Sequence, residues 1–140
     1  MPVPGGGSAS ALSAALGAGL ISMVAQYSLG RKHSVAVEKR IRKILKESEQ
    51  IRKRLLDLVD LDAQAYLRVV QTRKSSPQQR HRAEQAAAKV PQEIGRLCYK
   101  AVQLAPFLVA NGNKYLMGDV EAAVEILSGA FSASKAFLKS

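Results

Sequence analysis

A chain of 140 residues suffices for one domain, residues 1–140, with one sizeable core, and a 47% hydrophobic content excludes a disordered chain. Aromatic residues are only 5%, Trp is absent, and no Val/Ile/Thr-rich alternating run occurs; this excludes a sheet and predicts an all-α single-domain bundle of four to five helices. The net charge of +10 suits anionic partners, namely nucleic acid, acidic lipid or a polycarboxylate ligand, or else reflects a solvated basic helix face.

In chain order, Pro4-Gly5-Gly6-Gly7 reads as a loop, with Ser8 as the cap of a first helix over Ser8–Leu29 and Gly30 as its stop. Residues 5–30 carry no charge and are long enough for a membrane span. Six Ser and Gln residues interrupt the run, Ala and Gly outnumber Leu and Ile, and no basic residue precedes it, so a buried small-residue packing helix is expected rather than a membrane helix or a leader. The second helix is expected over Val35–Arg73, with an apolar stripe at Ile41, Ile44, Ile51, Leu55, Leu58, Val59, Val69 and Val70. Ten of the 21 cations lie between Arg31 and Arg54. Lys74 to Pro77 form a turn, with Ser76 as cap and Pro77 in the first helical turn. The third region is expected over Pro77–Ala110, kinked or divided at Pro91, with Pro106 ending a regular stretch. After the loop Asn111-Gly112-Asn113, a last helix is expected over Gly118–Leu138, with a stripe at Val120, Ala123, Val124, Leu127, Phe131 and Leu138.

The chemical candidates are few. His33 and His81 are the two histidines and Cys98 the lone cysteine; none stands at metal-ligand spacing, which argues against a zinc site of the usual kinds. A lone cysteine fits a reducing, cytoplasmic location. Gly5-Gly6-Gly7-Ser8 before a helix is either a tail ending in an ordinary cap or a place where a ligand approaches free backbone N–H groups. At 100° per residue, Asp62 falls in the middle of the face defined by Leu55, Val59, Tyr66 and Val70, whereas Asp57 and Asp60 point to the polar side. A carboxylate on a buried face is hydrogen-bonded, paired with an Arg or Lys, or functional. Asp119 is either the cap of the last helix or a second acid facing a cleft.

These residues, taken in order, resemble the cyclodeaminase/cyclohydrolase family of folate one-carbon enzymes. The carriers are Pro4-Gly5-Gly6-Gly7-Ser8-Ala9-Ser10-Ala11, Ala15-Leu16-Gly17-Ala18, Ser22-Met23-Val24-Ala25 and Gly30-Arg31-Lys32. They continue with Leu58-Val59-Asp60-Leu61-Asp62-Ala63 and Tyr66, Val90-Pro91, Asn111-Gly112-Asn113 and Gly118-Asp119-Val120. The chain departs from the pattern at Gly118, where Ser or Thr is usual, and at Ala133 and Phe137, where asparagines are usual. The resemblance implies an all-helical homodimer that takes a tetrahydrofolate derivative as substrate, with no metal. It implies one of two reactions: formiminotetrahydrofolate to methenyltetrahydrofolate and ammonia, or hydrolysis of the methenyl form to the formyl form. Asp62, and after it Asp119, is then the carboxylate at the cationic one-carbon centre. Gly5, Gly6, Gly7, Ser8, Tyr66 and Asn113 bind substrate, and Arg31 and Lys32 hold the glutamate tail. Two other readings are an inactive folate-binding or interaction protein on the same fold, and a basic nucleic-acid-binding helical protein. The second is disfavoured because aromatics are not interleaved with the cations.

Overall fold

The computed structural model describes residues 5–138, so Pro4 of the expected glycine loop lies outside the described residues. The chain forms α1 (Gly6–Ser28), α2 (Val35–Gln71), α3 (Pro77–Val102), a short α4 (Ala105–Asn111), a single 3₁₀ turn (Lys114–Leu116) and α5 (Met117–Ala136). Among the described residues there is no strand. The expected all-α bundle is therefore what the chain builds.

The four long helices form a ring in which neighbours run antiparallel. Ser8 meets Val59 and Ser22 meets Ser48, which sets α1 against α2. Arg54 meets Glu93 between α2 and α3, and Gly95 lies against Ser134 and Phe131 between α3 and α5. Gly17 lies against Leu127, and Asn113 bonds Ser28, which closes the ring between α5 and α1. One end of the bundle thus holds the start of α1 and the finish of α5; the other holds the finish of α1 and the start of α5.

Small side chains explain how α1 fits among three neighbours. Ala11, Ala14, Ala18, Ile21, Val24 and Ala25 are fully buried. Its buried serines are satisfied rather than orphaned: Ser22 Oγ donates to Ser48 Oγ (2.8 Å), and Ser28 Oγ donates to the Val24 carbonyl (2.7 Å). The helix is long and apolar enough to cross a membrane, but most of it is buried inside this bundle. Most of the larger aliphatics that fill the core come from the other helices, Ile41, Ile44, Leu55, Leu58, Ile94, Leu108 and Leu127 among them.

Caps set the boundaries. Gly30 takes φ +75° after α1, and its N–H donates to Glu38 in the first turn of α2 (3.0 Å). Ser34 and Ser76 accept from Val37 N–H (3.2 Å) and Gln79 N–H (3.3 Å), capping α2 and α3. Four sequence readings are corrected here. Gly5, not Ser8, is the N-cap of α1, because Ser8 turns inward and is buried. Leu116, not Asp119, precedes α5, and Asp119 lies inside its first turn. Pro91 does not divide α3, which runs through it. Pro106 opens α4 rather than ending a helix, since its missing N–H costs nothing in a first turn.

The predicted α2 stripe is buried only as far as Leu58; Val59 and Val69 are partly covered and Val70 is exposed. The reason is topological. The end of α2 and the beginning of α3 extend past the other two helices as a helical hairpin, so one side of it lies open beside the start of α1.

Tight helix contact makes a prediction. A Cβ on Gly17 would lie 2.7 Å from the Leu127 Cγ, whereas one on Gly129 meets nothing within 4 Å. Gly17→Ala is expected to destabilise by about 1–3 kcal/mol through overpacking. Gly129→Ala is expected to stabilise by about 0.5–1 kcal/mol through helix propensity. Urea denaturation of both variants measures the two signs.

Candidate functional site

Where the hairpin overhangs the start of α1, a cavity of about 570 Å³ opens. Its floor is Gly5, Gly6 and Gly7; one wall is Asp62, Ala65, Tyr66 and Val69 of α2; the other is Glu84, Ala87, Ala88 and Pro91 of α3; Phe137 and Leu138 close the remaining side. That size suits a drug-sized organic ligand. Among the described lining residues only Asp62 and Glu84 are charged, and both are acids. An acidic cavity in a chain of net charge +10 favours a ligand whose buried part is cationic.

Asp62 is held at the amino end of α1. Its carboxylate occupies the space a Cβ on Gly7 would need, so only glycine permits this approach. It accepts from the Ser8 hydroxyl (3.3 Å) and from the Ser8 backbone N–H. The latter is one of the N–H groups that a helix start leaves without an internal partner, and the helix dipole also favours a negative charge there. Burial pushes the Asp62 carboxyl above the ordinary aspartate value, and the two Ser8 hydrogen bonds only partly oppose this. No Arg or Lys forms an ion pair with Asp62 among the described residues. Of the three alternatives for a carboxylate on this face, an Arg or Lys partner is not the one found; the end of a helix holds Asp62 by hydrogen bonds. Asp60 and Asp57 point to solvent, as the helical projection required.

Ser8 has a different place from the one its sequence position suggested. It is 2% exposed and its Oγ donates to the Val59 carbonyl (2.7 Å) as well as lying near Asp62. It therefore orients the carboxylate from behind. Tyr66 stands one turn beyond Asp62 in the cavity wall.

The structure brings together Gly5, Gly6, Gly7, Ser8, Asp62 and Tyr66. It places Arg31, Lys32, Asn113 and Asp119 toward the opposite end of the bundle, roughly 25 to 36 Å away along α1 at 1.5 Å per residue. There Asn113 Oδ1 accepts from Tyr115 N–H (3.0 Å), a turn-forming bond, and the Asn113 N–H donates to Ser28 Oγ (2.8 Å), which ties the turn to the end of α1. Among the described residues no group of three or more His, Cys, Asp or Glu is placed to hold a metal ion. Cys98 is buried between α3 and α5, where desolvation pushes its thiol up to about 11.

Sequence reasoning missed Glu84 and the wall formed by α3. A signal existed in Ala86-Ala87-Ala88 before Pro91, a run of small residues that leaves room beside a helix. Pro91 has no N–H to give the Ala87 carbonyl, which leaves that cavity-lining residue with an acceptor lacking its helical donor.

The sequence profile of the formiminotransferase-cyclodeaminase family matches residues 1–139. The chain belongs to this family. It is 31% identical over 133 residues to a methenyltetrahydrofolate cyclohydrolase of Methylorubrum extorquens, covering 88% of this chain and 64% of that protein. It is 31% identical over 141 residues to the formimidoyltransferase-cyclodeaminase of Mus musculus, covering 93% of this chain and 26% of that much longer protein. The chain thus spans less than two thirds of the length of either relative. The crystal structure of a formiminotetrahydrofolate cyclodeaminase from Thermotoga maritima superimposes with a TM-score of 0.95 at 29% identity, covering 99% of this chain and 70% of that one.

The contact between Gly7 and Asp62 is testable. In Gly7→Ala the new methyl displaces the carboxylate from the Ser8 N–H, and the expected cost is about 1–3 kcal/mol, from overpacking and a broken charge-assisted hydrogen bond. Thermal denaturation of Gly7→Ala against the double variant Gly7→Ala/Asp62→Ala checks the cause. With Asp62→Ala as the reference, Gly7→Ala should cost little if the clash is with the Asp62 side chain.

Proposed function

We propose that the cavity binds a one-carbon-substituted tetrahydrofolate and that Asp62 acts on its cationic one-carbon centre. The observation that carries this reading is the acidic cavity itself: two carboxylates and no cation among its described lining residues, in a family whose named members act on folates. In the methenyl form a positive charge is shared over a carbon between two nitrogens. Asp62 stabilises that charge electrostatically and takes a proton from the water that adds to the carbon. The carbon–nitrogen bond that closes the extra ring then breaks, and the departing nitrogen receives a proton, giving the formyl product. In the formimino direction the second folate nitrogen attacks the same carbon. Its proton passes to the departing amine, which leaves as ammonia. Tyr66 and Phe137 supply aromatic surface for the flat rings of the ligand. The assay follows the ultraviolet absorbance of methenyltetrahydrofolate and ammonia release from formiminotetrahydrofolate. No change in either with active wild-type controls of a relative alongside would sink the reading.

The raised Asp62 carboxyl gives a prediction with a definite sign. The folded chain prefers the protonated form more than the unfolded chain does. Folding stability is therefore lost as pH rises from the unfolded value near 3.8 through the higher folded one. Asp62→Asn abolishes that loss and keeps an acceptor for the Ser8 N–H. Its melting temperature at pH 7 is expected to equal or exceed that of the wild type. Turnover is expected to fall on the order of a hundredfold or more, as for removal of a general base. The wild-type acid limb should lie above the ordinary aspartate range and should disappear in Asp62→Asn. Asp60→Asn, on the exposed side of α2, should change neither property. A destabilised but active Asp62→Asn protein ends the catalytic assignment.

A further inference from the structure

Glu84 is the charged group of the cavity that the chemistry above leaves unused. It is exposed on α3 and lines the cavity opposite the α2 wall that carries Asp62. The chain has 21 cations, yet no ion pair or hydrogen bond engages the Glu84 carboxylate among the described residues.

A second free acceptor stands beside it. Ala87 and Pro91 line the same cavity, and Pro91 has no N–H for the Ala87 carbonyl. That carbonyl lies beneath Pro91 on the helix, and so on the cavity side. Residues three apart on a helix are surface neighbours, which sets the Glu84 carboxylate next to the Ala87 carbonyl. Two carboxylate oxygens and one carbonyl oxygen are then presented together without a helical donor. Ala87 is half-buried, and a half-buried carbonyl lacking its donor is costly unless something else supplies one. A ligand in the cavity supplies it if it brings a flat edge of several N–H bonds.

We propose that Glu84 and the Ala87 carbonyl form the recognition site for the amino edge of the ligand's pterin ring. This rests on the folate reading of the cavity and deepens it. In a 2-amino-4-oxo pterin the ring N–H and the neighbouring amino group form a planar fork, and the amino group has one further N–H beyond it. The Glu84 carboxylate accepts the two parallel N–H bonds, as it would from a guanidinium, and the Ala87 carbonyl accepts the remaining one. The one-carbon group is carried on the opposite side of the ring system. Holding the amino edge on α3 therefore turns the reacting carbon toward α2 and Asp62. The two acids divide the work: Asp62 meets the charge of the one-carbon centre, and Glu84 fixes the position of the ring. Pro91 contributes by withholding a donor while α3 continues through it.

The test reads binding apart from turnover. Tetrahydrofolate has the amino edge but no cationic carbon, and it is titrated calorimetrically into the wild type, Glu84→Gln and Pro91→Ala. Glu84→Gln places a donor against the amino group, and affinity is expected to fall roughly tenfold to a hundredfold, as for loss of hydrogen bonds to a charged group. Its melting temperature should not change, because Glu84 has no partner in the described chain to lose. Pro91→Ala returns a helical donor to the Ala87 carbonyl. It is expected to raise the melting temperature, since an interior proline is removed, and yet to weaken tetrahydrofolate binding severalfold. An analogue with methyl in place of the 2-amino group identifies the edge. The wild type should bind it roughly tenfold or more weakly than tetrahydrofolate, and Glu84→Gln should bind the two nearly alike. With methenyltetrahydrofolate as substrate, Glu84→Gln should raise KM and leave kcat near that of the wild type, as for contacts made equally in the ground and transition states. Unchanged tetrahydrofolate affinity in Glu84→Gln, equal discrimination against the analogue by both proteins, or a loss confined to kcat overturns the assignment of Glu84. Unchanged affinity in Pro91→Ala overturns the part given to the Ala87 carbonyl. A wild type that binds tetrahydrofolate through Glu84 but turns over neither substrate ends the role of Asp62 and leaves this site standing. A wild type that binds no folate ends both.

Discussion

Asp62 lies at the amino end of α1 under two opposed influences, and much of the molecule is arranged around that point. Burial disfavours its charge, while the Ser8 N–H, the Ser8 hydroxyl and the helix dipole favour it. A carboxylate so held is fixed in direction yet incompletely neutralised, which is the state a charge-stabilising or proton-accepting group needs. The contact requires the absence of a side chain at Gly7, so the glycine run serves the packing of α1 against α2. The Ser8 hydroxyl, tied to the Val59 carbonyl, locks α1 to α2 at the same place.

Close packing of α1 makes the arrangement possible. A helix of Ala, Gly and Ser lets α2 and α5 approach it along their lengths, and the bundle fills its core with the larger aliphatics of those neighbours. The core therefore ends where α1 ends. Since α2 and α3 are longer, their hairpin projects beyond it, and the projecting inner face becomes the wall of a cavity. The site arises from a mismatch in helix length, and the small residues Ala65, Ala87 and Ala88 keep it open.

Charge divides the surface by function. The cations that give the chain its +10 are concentrated on α2 and in the turns, away from the cavity lining. Two other clefts between α2 and α3, of about 520 and 400 Å³, are lined with cations, among them Arg40, Lys100, Arg68 and Lys89. Only the cavity at the start of α1 has a purely acidic charged lining among the described residues. This contrast sets the cavity apart from the general basicity of the molecule.

Helical periodicity along the chain was enough to define the long helices, the all-α class and the buried direction of Asp62, because each depends on spacing within one helix; it did not show the break between α3 and α4 after Val102. The same periodicity separated Asp62 from Asp57 and Asp60. The ordered motifs carried the family, which the matching profile over residues 1–139 bears out. Sequence could not show that Ser8 turns inward, since a serine near a helix start is a cap unless a neighbouring helix offers it a carbonyl, and Val59 does. It could not show that Pro91 leaves α3 continuous, because packing on both sides holds the helix across the missing hydrogen bond. Glu84 was invisible as a site residue because nothing in the sequence fixes which face of α3 turns toward α2. The distance between the basic turn and Asp62 was likewise beyond reach: adjacency in a list of motifs carries no information about which end of a helix each occupies. Spacing within a helix is written in the sequence, whereas the pairing of one helix end with another is decided only when the chain packs.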